Sequence, residues 1–341
     1  MVLAAAADPV LSVLIVNYDS GDDLRRCLAA LAAQTRGDFE IILVDNGSAD
    51  GSLARALADC SLAAGEDAPL PALRLLQAGR NLGFAAANNR AAALARAPLL
   101  ALLNPDAFPE PGWLATLAEA AARHPDVAMF GSTQLLEADP DRLDGAGDVY
   151  HASGLVWRGA GAVRPQALPT EAEAFAPCAA AALYRRDVFL AAGGFDERFF
   201  CYCEDVDLGF RLRLAGHRAL QLGDAIVRHK GSAASGRYSA FACYHGARNR
   251  LWTFVKNMPG PLLLPLLPAH LLITAVMLVA ALRRGTLRPT LAGISDGLAG
   301  LGPVLAARRR VQAGRRVSLR RLAGAFCWSP FALVSRGPAL R

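Results

Sequence analysis

Apolar residues follow two rhythms along the first 125 positions. Four short unbroken runs, VLSVLIVNY (10–18), FEIILVDN (39–46), LRLLQA (73–78) and PLLALLNPD (98–106), have the length of strands buried on both faces. Between them, SGDDLRRCLAALAAQ (20–34), GSADGSLARALADC (47–60), NNRAAALARA (88–97) and PGWLATLAEAAARHP (111–125) place apolar residues at helical spacing. The first two open on Ser, Gly and Asp, and the last has Pro near its first turn, as helix starts do. Strands that alternate with helices, and that are apolar throughout, predict a doubly wound α/β domain on a mostly parallel sheet. Beyond residue 139 the rhythm weakens. Residues 139–175 are rich in Gly, Pro and Ala and read as an irregular excursion over the site, and residues 179–222 return to strand and helix.

Residues 257–282 bear no charge except through His270, and the run is long enough to span a bilayer. Pro261, Pro265 and Pro268 disfavour a single straight helix there. Composition agrees with an encounter with lipid: 53% of the 341 residues are hydrophobic. Charge is divided along the chain. From Arg283 onward twelve arginines face one acid, Asp296, so with a net charge of +6 the remainder is mildly acidic. A basic tail behind an apolar run suits an anionic membrane surface. Nucleic acid is not expected, because the tail offers only Phe326 and Trp328 near its basic clusters. The opening MVLAAAADPV lacks the basic start of a signal peptide, which places the body in the cytoplasm. A single span would then carry the arginines outside, against the positive-inside rule, so a re-entrant, interfacial or hairpin arrangement is expected. A buried core helix is the competing reading of the run. Seven scattered cysteines without a CxxC pair read as reduced thiols.

Candidate chemistry clusters where strands end. In doubly wound sheets ligands bind beyond the carboxyl ends of the strands. Asn17-Tyr18, Asp45-Asn46-Gly47-Ser48 and Asn104-Pro105-Asp106 occupy three such ends, although capping of the next helix also explains any one of them. No GxGxxG fingerprint follows the first strand, which argues against a dinucleotide enzyme. GRNLGFAAANN (79–89) surrounds a turn with Gly83 and small residues that admit a close backbone approach. The densest cluster, GGFDERFFCYCEDVDLGFRLRLAGHR (193–218), sets Asp196, Glu197, Glu204, Asp205 and Asp207 near Phe199, Phe200 and Tyr202. Acids in a helix's first turn are stabilised by its dipole, yet carboxylates beside aromatics also suit a general base and a sugar acceptor.

In this order and spacing, VLIVNY, ILVDNGSADGS, NLGFAAANN, LLNPDAF and GGFDERFFCYCEDVDLGFRLRLAG resemble glycosyltransferase family 2, and most of all its rhamnosyltransferase-like branch, over residues 10–257. The resemblance implies a GT-A fold and an inverting transfer from a nucleotide-sugar donor, with rhamnose a candidate sugar, to a hydroxyl of a glycan or lipid-linked acceptor. It implies that Asp45 contacts the nucleotide base, that Asn17 and Arg80 line the nucleotide pocket, and that Asn46, Asn81, Gly83 and Asn104 belong to the donor site. Asn104-Pro105-Asp106 stands where the family carries its DxD metal motif, leaving Asp106 as the only carboxylate for Mg²⁺ or Mn²⁺. His229, in VRHKGSAAS, matches a histidine that helps to hold metal or diphosphate in some relatives. Asp205 matches the base of the family's ED pair, with Glu204, Phe200 and Tyr202 on the acceptor side. Arg248-Asn249 falls where relatives carry a similar pair, with helix packing as the plain explanation. The expected division is a catalytic domain, 1–256, and a membrane-associated segment, 257–341, at the cytoplasmic face of the membrane. Two other functions share such a fold: a non-catalytic nucleotide-sugar-binding protein, against which Asp106 and Asp205 speak, and a nucleotidyltransferase, which SGDDLRRC fits poorly.

Overall fold

The computed structural model describes residues 8–65, 71–160, 163–231 and 238–341. The opening MVLAAAA and residues 232–235 of the VRHKGSAAS motif lie outside them. The predicted strands appear at Leu11–Asn17, Phe39–Asp45, Ala72–Gln77 and Leu99–Leu103, all mutually parallel where they pair. Their unbroken apolarity has a direct cause, since successive residues face opposite sides of the sheet. Val13, Ile15, Ile41 and Leu43 pack beneath the helices Asp23–Ala32 and Trp113–Arg123 through Leu24, Leu28, Leu31, Trp113 and Leu117. Leu14, Ile42, Val44, Leu100 and Leu102 pack on the other face against Ala85, Ala91, Phe189, Leu208 and Leu212. The core is thus two apolar layers separated by one sheet. The third helix runs Gly83–Leu94, starting five residues earlier than its apolar spacing predicts.

Beyond Leu99–Leu103 the sheet becomes mixed. Ala181–Arg185 runs antiparallel beside it, followed by Val127–Leu136 and Arg218–His229, which are parallel to each other. The antiparallel insertion leaves Asn17, Asp45, Asn104, Leu136 and His229 at one edge of the sheet.

Residues 139–175 correct the expectation of an irregular excursion. Asp139–Ala146 pairs antiparallel with Val127–Leu136, with register shifts near Leu135, and Asp148–Tyr150 pairs with Val156–Arg158. The first half of Asp139–Ala146 is exposed on both faces, so no apolar alternation marks it. Backbone pairing makes the exposed half of Asp139–Ala146 a strand, whereas Asp148–Tyr150 is buried throughout.

The prolines also behave differently from expectation. One helix, Gly260–Arg283, continues through Pro265 and Pro268. Each proline withdraws one N–H from the ladder, and the flanking bonds carry the helix past it. By length and composition it could cross a membrane, with mean hydropathy 2.3. It touches the body through Leu262, Leu263 and Leu266, through His270, whose ring stacks on Phe254 at 4.0 Å, through Ile273 and Met277, and through Ala281. After it the chain folds back. Gly293 of the helix Leu287–Ala299 abuts the Tyr244 backbone so closely that a Cβ there would lie 2.2 Å from its carbonyl oxygen. Val317, Leu322 and Phe326 enter a core with Tyr150, Phe175 and Phe210. Arg308 is held inward, donating to the carbonyls of Val255 and Met258, which leaves Arg309, Arg310, Arg315, Arg316, Arg320 and Arg321 as the exposed clustered arginines.

Candidate active site

At the strand-end edge, Asn17 is fully buried and its amide donates to Asp45 Oδ1 (3.0 Å), Ser48 Oγ (2.9 Å) and Ser52 Oγ (3.1 Å). Asn17 therefore orients Asp45. Asn46 bridges to the next loop: its amide donates to Asn81 Oδ1 at 3.0 Å and its carbonyl oxygen accepts from the Leu82 N–H at 2.9 Å. Gly47 makes this possible, since at its φ of +82° a Cβ would lie 2.8 Å from the Arg80 backbone. Asn17, Asp45, Asn46, Arg80 and Asn81 are thus drawn together from three loops. Arg80 projects outward beside a hollow of about 380 Å³, lined also by Asn81, Arg90 and Glu197. Gly83 has a φ of +82°, and its bare face is covered by the Phe200 ring, 2.5 Å from where a Cβ would be. The donor-side helix and the aromatic loop are in direct contact there.

Further along the same edge, Asp106 and His229 meet. Asp106 Oδ1 lies 3.4 Å from His229 Nε2, a buried nitrogen that makes no hydrogen bond among the described residues. His229 Nδ1 is 2.7 Å from Asp144 Oδ2, and Arg158 pairs with Asp144 and lies 3.2 Å from the ring. Burial opposes a charge on His229, but Asp106 and Asp144 outweigh it and raise its pKa. A carboxylate behind a histidine fixes the ring and directs its other nitrogen, the usual outer support of a metal ligand. One carboxylate oxygen and one imidazole nitrogen, 3.4 Å apart, fit a divalent cation that diphosphate oxygens would complete. Asn104 sits at the adjoining turn, its N–H donating to the Ala180 carbonyl at 2.9 Å.

Asp205 stands in the first turn of the helix Glu204–Leu214, as its sequence position predicts. Its carboxylate accepts from the N–H groups of Ala179 (3.2 Å) and Val206 (2.8 Å). Burial raises its pKa, and these two N–H groups and the Arg158 charge hold the rise in check. Glu204 is buried with Oε2 unpaired, and burial together with Asp205 pushes its pKa well above the usual range. Asp148 and Cys178 approach Asp205, with one ligand-type atom of each within 4.8 Å of the others. Asp148 Oδ2 has no partner, and burial followed by the Asp205 charge keeps that carboxyl protonated well above its ordinary range. Burial pushes the Cys178 thiol up to about 12. The three groups form a compact acidic cluster with the geometry to hold a metal ion or to pass a proton.

Phe200 and Tyr202 lie on a loop in which Phe200, Tyr202 and Cys203 all take positive φ (64°, 72° and 63°). Non-glycine residues hold such angles only where the surroundings impose them. Asn249 does so, its amide reaching the carbonyls of Phe199 (2.9 Å), Cys201 (2.9 Å) and Tyr202 (2.7 Å). Arg248 donates to Arg198 and Phe199 carbonyls and lies over the Trp252 ring. The Arg-Asn pair is thus a brace for the aromatic loop. Phe200 stacks on His245 at 5.5 Å, and Tyr202 approaches Phe241 at 6.0 Å.

The acids of this segment divide. Asp196 and Asp207 both bind the buried Lys256 (2.6 and 2.9 Å), and Asp207 also takes Arg211 at 2.9 Å. They tie the helix Ala240–Asn257 to the loop rather than facing the strand-end edge. A hollow of about 890 Å³ is lined by Asp196, Arg198, Arg211 and Lys256, whose charges are paired within the protein. Asp144, Asp148, Arg158 and Cys178 were not singled out by the sequence motifs. Isolated acids in a Gly- and Pro-rich stretch carry no local signal, because their neighbours in space come from other elements.

The family described as Glycosyl transferase family 2 matches residues 12–191. An N-acetylglucosaminyl-diphospho-decaprenol L-rhamnosyltransferase of Mycobacterium tuberculosis is 34% identical over 268 residues, 69% of this chain and 81% of the relative. Among solved structures, a mannosyltransferase of Pyrobaculum calidifontis in complex with GDP-Man and Mn²⁺ superposes with a TM-score of 0.52 at 18% identity, over 92% of this chain and 88% of the other. GalNAc-T7 with UDP, GalNAc and Mn²⁺ gives 0.55 at 16% identity, over 73% of this chain and 48% of the other. These two likenesses are of fold.

Proposed function

The chain belongs to glycosyltransferase family 2, and from that premise we propose that it transfers a sugar, with inversion, from a nucleotide-diphosphate donor to a hydroxyl of a lipid-linked glycan. The observation that carries this reading is the convergence on one sheet edge of the Asp45–Asn46–Arg80–Asn81 cluster, the Asp106–His229 pair and Asp205. The first would seat the nucleotide. Asp106 and His229 would hold a divalent cation, Mg²⁺ or Mn²⁺, which when bound stabilises charge on the departing diphosphate. Asp205, raised by burial and oriented by two N–H groups, takes the proton of the acceptor hydroxyl as that oxygen attacks. A single carboxylate serves a direct displacement, since no acid need protonate the leaving group. Phe200 and Tyr202, with Glu204 beneath them, would form the acceptor side. The relative's printed name supports L-rhamnose as donor sugar and a polyprenyl diphosphate-linked sugar as acceptor.

The segment 257–341 serves in this reading as the membrane contact, with the body through residue 256 carrying the donor site. The apolar helix lies along the body at His270, and the helices after it fold back, so both its ends stay on the catalytic side. That favours a peripheral, interfacial attachment at the cytoplasmic face, where nucleotide sugars are available, over a span. The test is transfer itself. Purified protein with Mn²⁺ is offered a panel of nucleotide sugars and N-acetylglucosaminyl-diphospho-polyprenol in anionic micelles. Inverted linkage in the glycolipid product is expected. Donor binding without transfer to any lipid-linked acceptor would overturn the acceptor assignment.

A further inference from the structure

Three large apolar side chains near the C-terminus remain exposed although shorter neighbours are buried. Trp328, Phe331 and Val334 are 52%, 83% and 87% exposed. They project from a turn whose inner side is fixed, as Cys327, Ala332 and Leu333 pack with Ile273 and Met277 of the apolar helix. That helix itself exposes Leu264, Leu271, Leu272, Val276 and Leu282. The turn is therefore continuous with the most apolar surface of the molecule. Arg315, Arg316, Arg320 and Arg321 are exposed on the chain just before it. Tryptophan beside an apolar projection and a set of arginines matches the chemistry of a bilayer's head-group boundary.

We propose that the turn carrying Trp328, Phe331 and Val334 is a second membrane contact, inserted beside the apolar helix into the interface of an anionic bilayer. The inference rests on the membrane reading above and deepens it. Two contacts fix an orientation where one helix would leave rotation about its own axis free. The turn is also coupled to the site. Cys327 exchanges backbone hydrogen bonds with Tyr150 and Ala152, each 2.9 Å, and Tyr150 ends the short strand that begins at Asp148, beside Asp205. Docking the turn would hold the base side of the edge toward the lipid, where a lipid-linked hydroxyl arrives.

The other three tryptophans, Trp113, Trp157 and Trp252, are at most 7% exposed, so quenching by brominated lipid reads Trp328 selectively. Full-length protein is mixed with phosphatidylglycerol–phosphatidylcholine vesicles brominated at shallow or deep acyl positions. Cosedimentation, with quenching strongest from the shallow bromines and abolished in Trp328→Phe, is expected. Phe331→Glu with Val334→Glu, on side chains that face solvent, should weaken vesicle partitioning by about tenfold or more, the loss of two apolar insertions. Cosedimentation with no quenching beyond that of Trp328→Phe overturns the second contact and leaves the membrane reading standing. Failure to cosediment at low salt overturns both. Self-association in the absence of lipid, relieved by the double glutamate variant, would assign the turn to a second copy of this chain and overturn the proposal.

Discussion

The proposed donor side and the proposed base side of this sheet edge are built in opposite ways. On the donor side the buried asparagines have partners: Asn17 binds Asp45, Ser48 and Ser52, and Asn46 binds Asn81 and Leu82. On the base side Asp148 Oδ2, Glu204 Oε2, Tyr150 Oη and His229 Nε2 are buried without hydrogen bonds among the described residues, and three residues of one loop, Phe200, Tyr202 and Cys203, hold positive φ. Unpaired buried polar atoms cost about 1–3 kcal/mol each, and strained angles cost a similar amount. A satisfied network recognises; an unsatisfied one keeps affinity in reserve for protons, metal and acceptor. The difference teaches that the groups should fail differently when mutated: Asp45, Asn46 and the Asp106–His229 pair in donor binding, the aromatic loop in acceptor binding, and Asp205 in chemistry.

The largest effect should come from Asp205→Asn. The amide keeps the shape and cannot accept a proton, so turnover should fall roughly 10²–10⁴-fold, with donor affinity measured by calorimetry nearly unchanged. Near-normal turnover would remove Asp205 from the base role and erase the contrast. Next is Asp106→Ala. No second carboxylate lies in Asn104-Pro105-Asp106, so metal-dependent donor binding should be lost, while His229→Ala should give a milder loss. Titrating donor with and without Mn²⁺ separates the two. Equal affinity in all four conditions would make the pair structural.

The sequence made the donor side legible because its residues are local. Asp45, Asn46 and Gly47 follow one strand directly, Arg80 and Asn81 follow another, and strand ends are visible as apolar runs that stop. Asp205 was legible for the same reason, at the start of a helix. Family membership and the mostly parallel α/β fold could be read from the same motifs. What escaped was made by distance. Asp148 reaches Asp205 across 57 positions, and Asp144 reaches His229 across 85. The strand that carries Asp144 is exposed on its first half and lacks apolar alternation, and the strand that carries Asp148 is only three residues long. Pro265 and Pro268 misled in the other direction, since local propensity disfavours a helix that the long apolar flanks maintain.

Asp148 gives a sharper probe of the base side. One of its carboxyl oxygens comes within 4.8 Å of an Asp205 oxygen, and a proton that Asp148 donates to the charged Asp205 would lower that carboxylate's pKa. Removing the donor in Asp148→Ala should therefore raise the pKa of Asp205. The acid limb of the kcat/KM profile should move to higher pH, by about one unit if the bond is worth about 1.5 kcal/mol. A fall in kcat of about tenfold should accompany it. Asp148→Asn keeps a donor and loses only the titration, so its acid limb should stay near that of the unsubstituted enzyme. Identical profiles for both variants would mean that Asp148 only fills space.

The smallest effect, and the one that best divides binding from chemistry within the base side, belongs to Asn249→Ala. Asn249 touches neither the Asp106–His229 pair nor Asp205; its amide holds the carbonyls of Phe199, Cys201 and Tyr202. Without it, Phe200, Tyr202 and Cys203 lose the contacts that hold them at positive φ, and the loop can relax toward ordinary angles. The Phe200 ring would then leave the bare face of Gly83, and the aromatic platform would lose its fixed shape. Acceptor KM should rise by about three- to tenfold, because ordering the loop must be repeated at each binding event, whereas kcat at saturating acceptor should change less than twofold. Donor affinity should be unaffected, since Asp45, Asn46 and Asn81 bond only among themselves and their immediate neighbours. Asn249→Gln, longer by one methylene, should recover part of the loss by reaching at least one carbonyl. A fall in kcat equal to the rise in KM would show instead that the loop positions Asp205 through Cys203 and Glu204, and would join the aromatic platform to the chemistry rather than to acceptor binding.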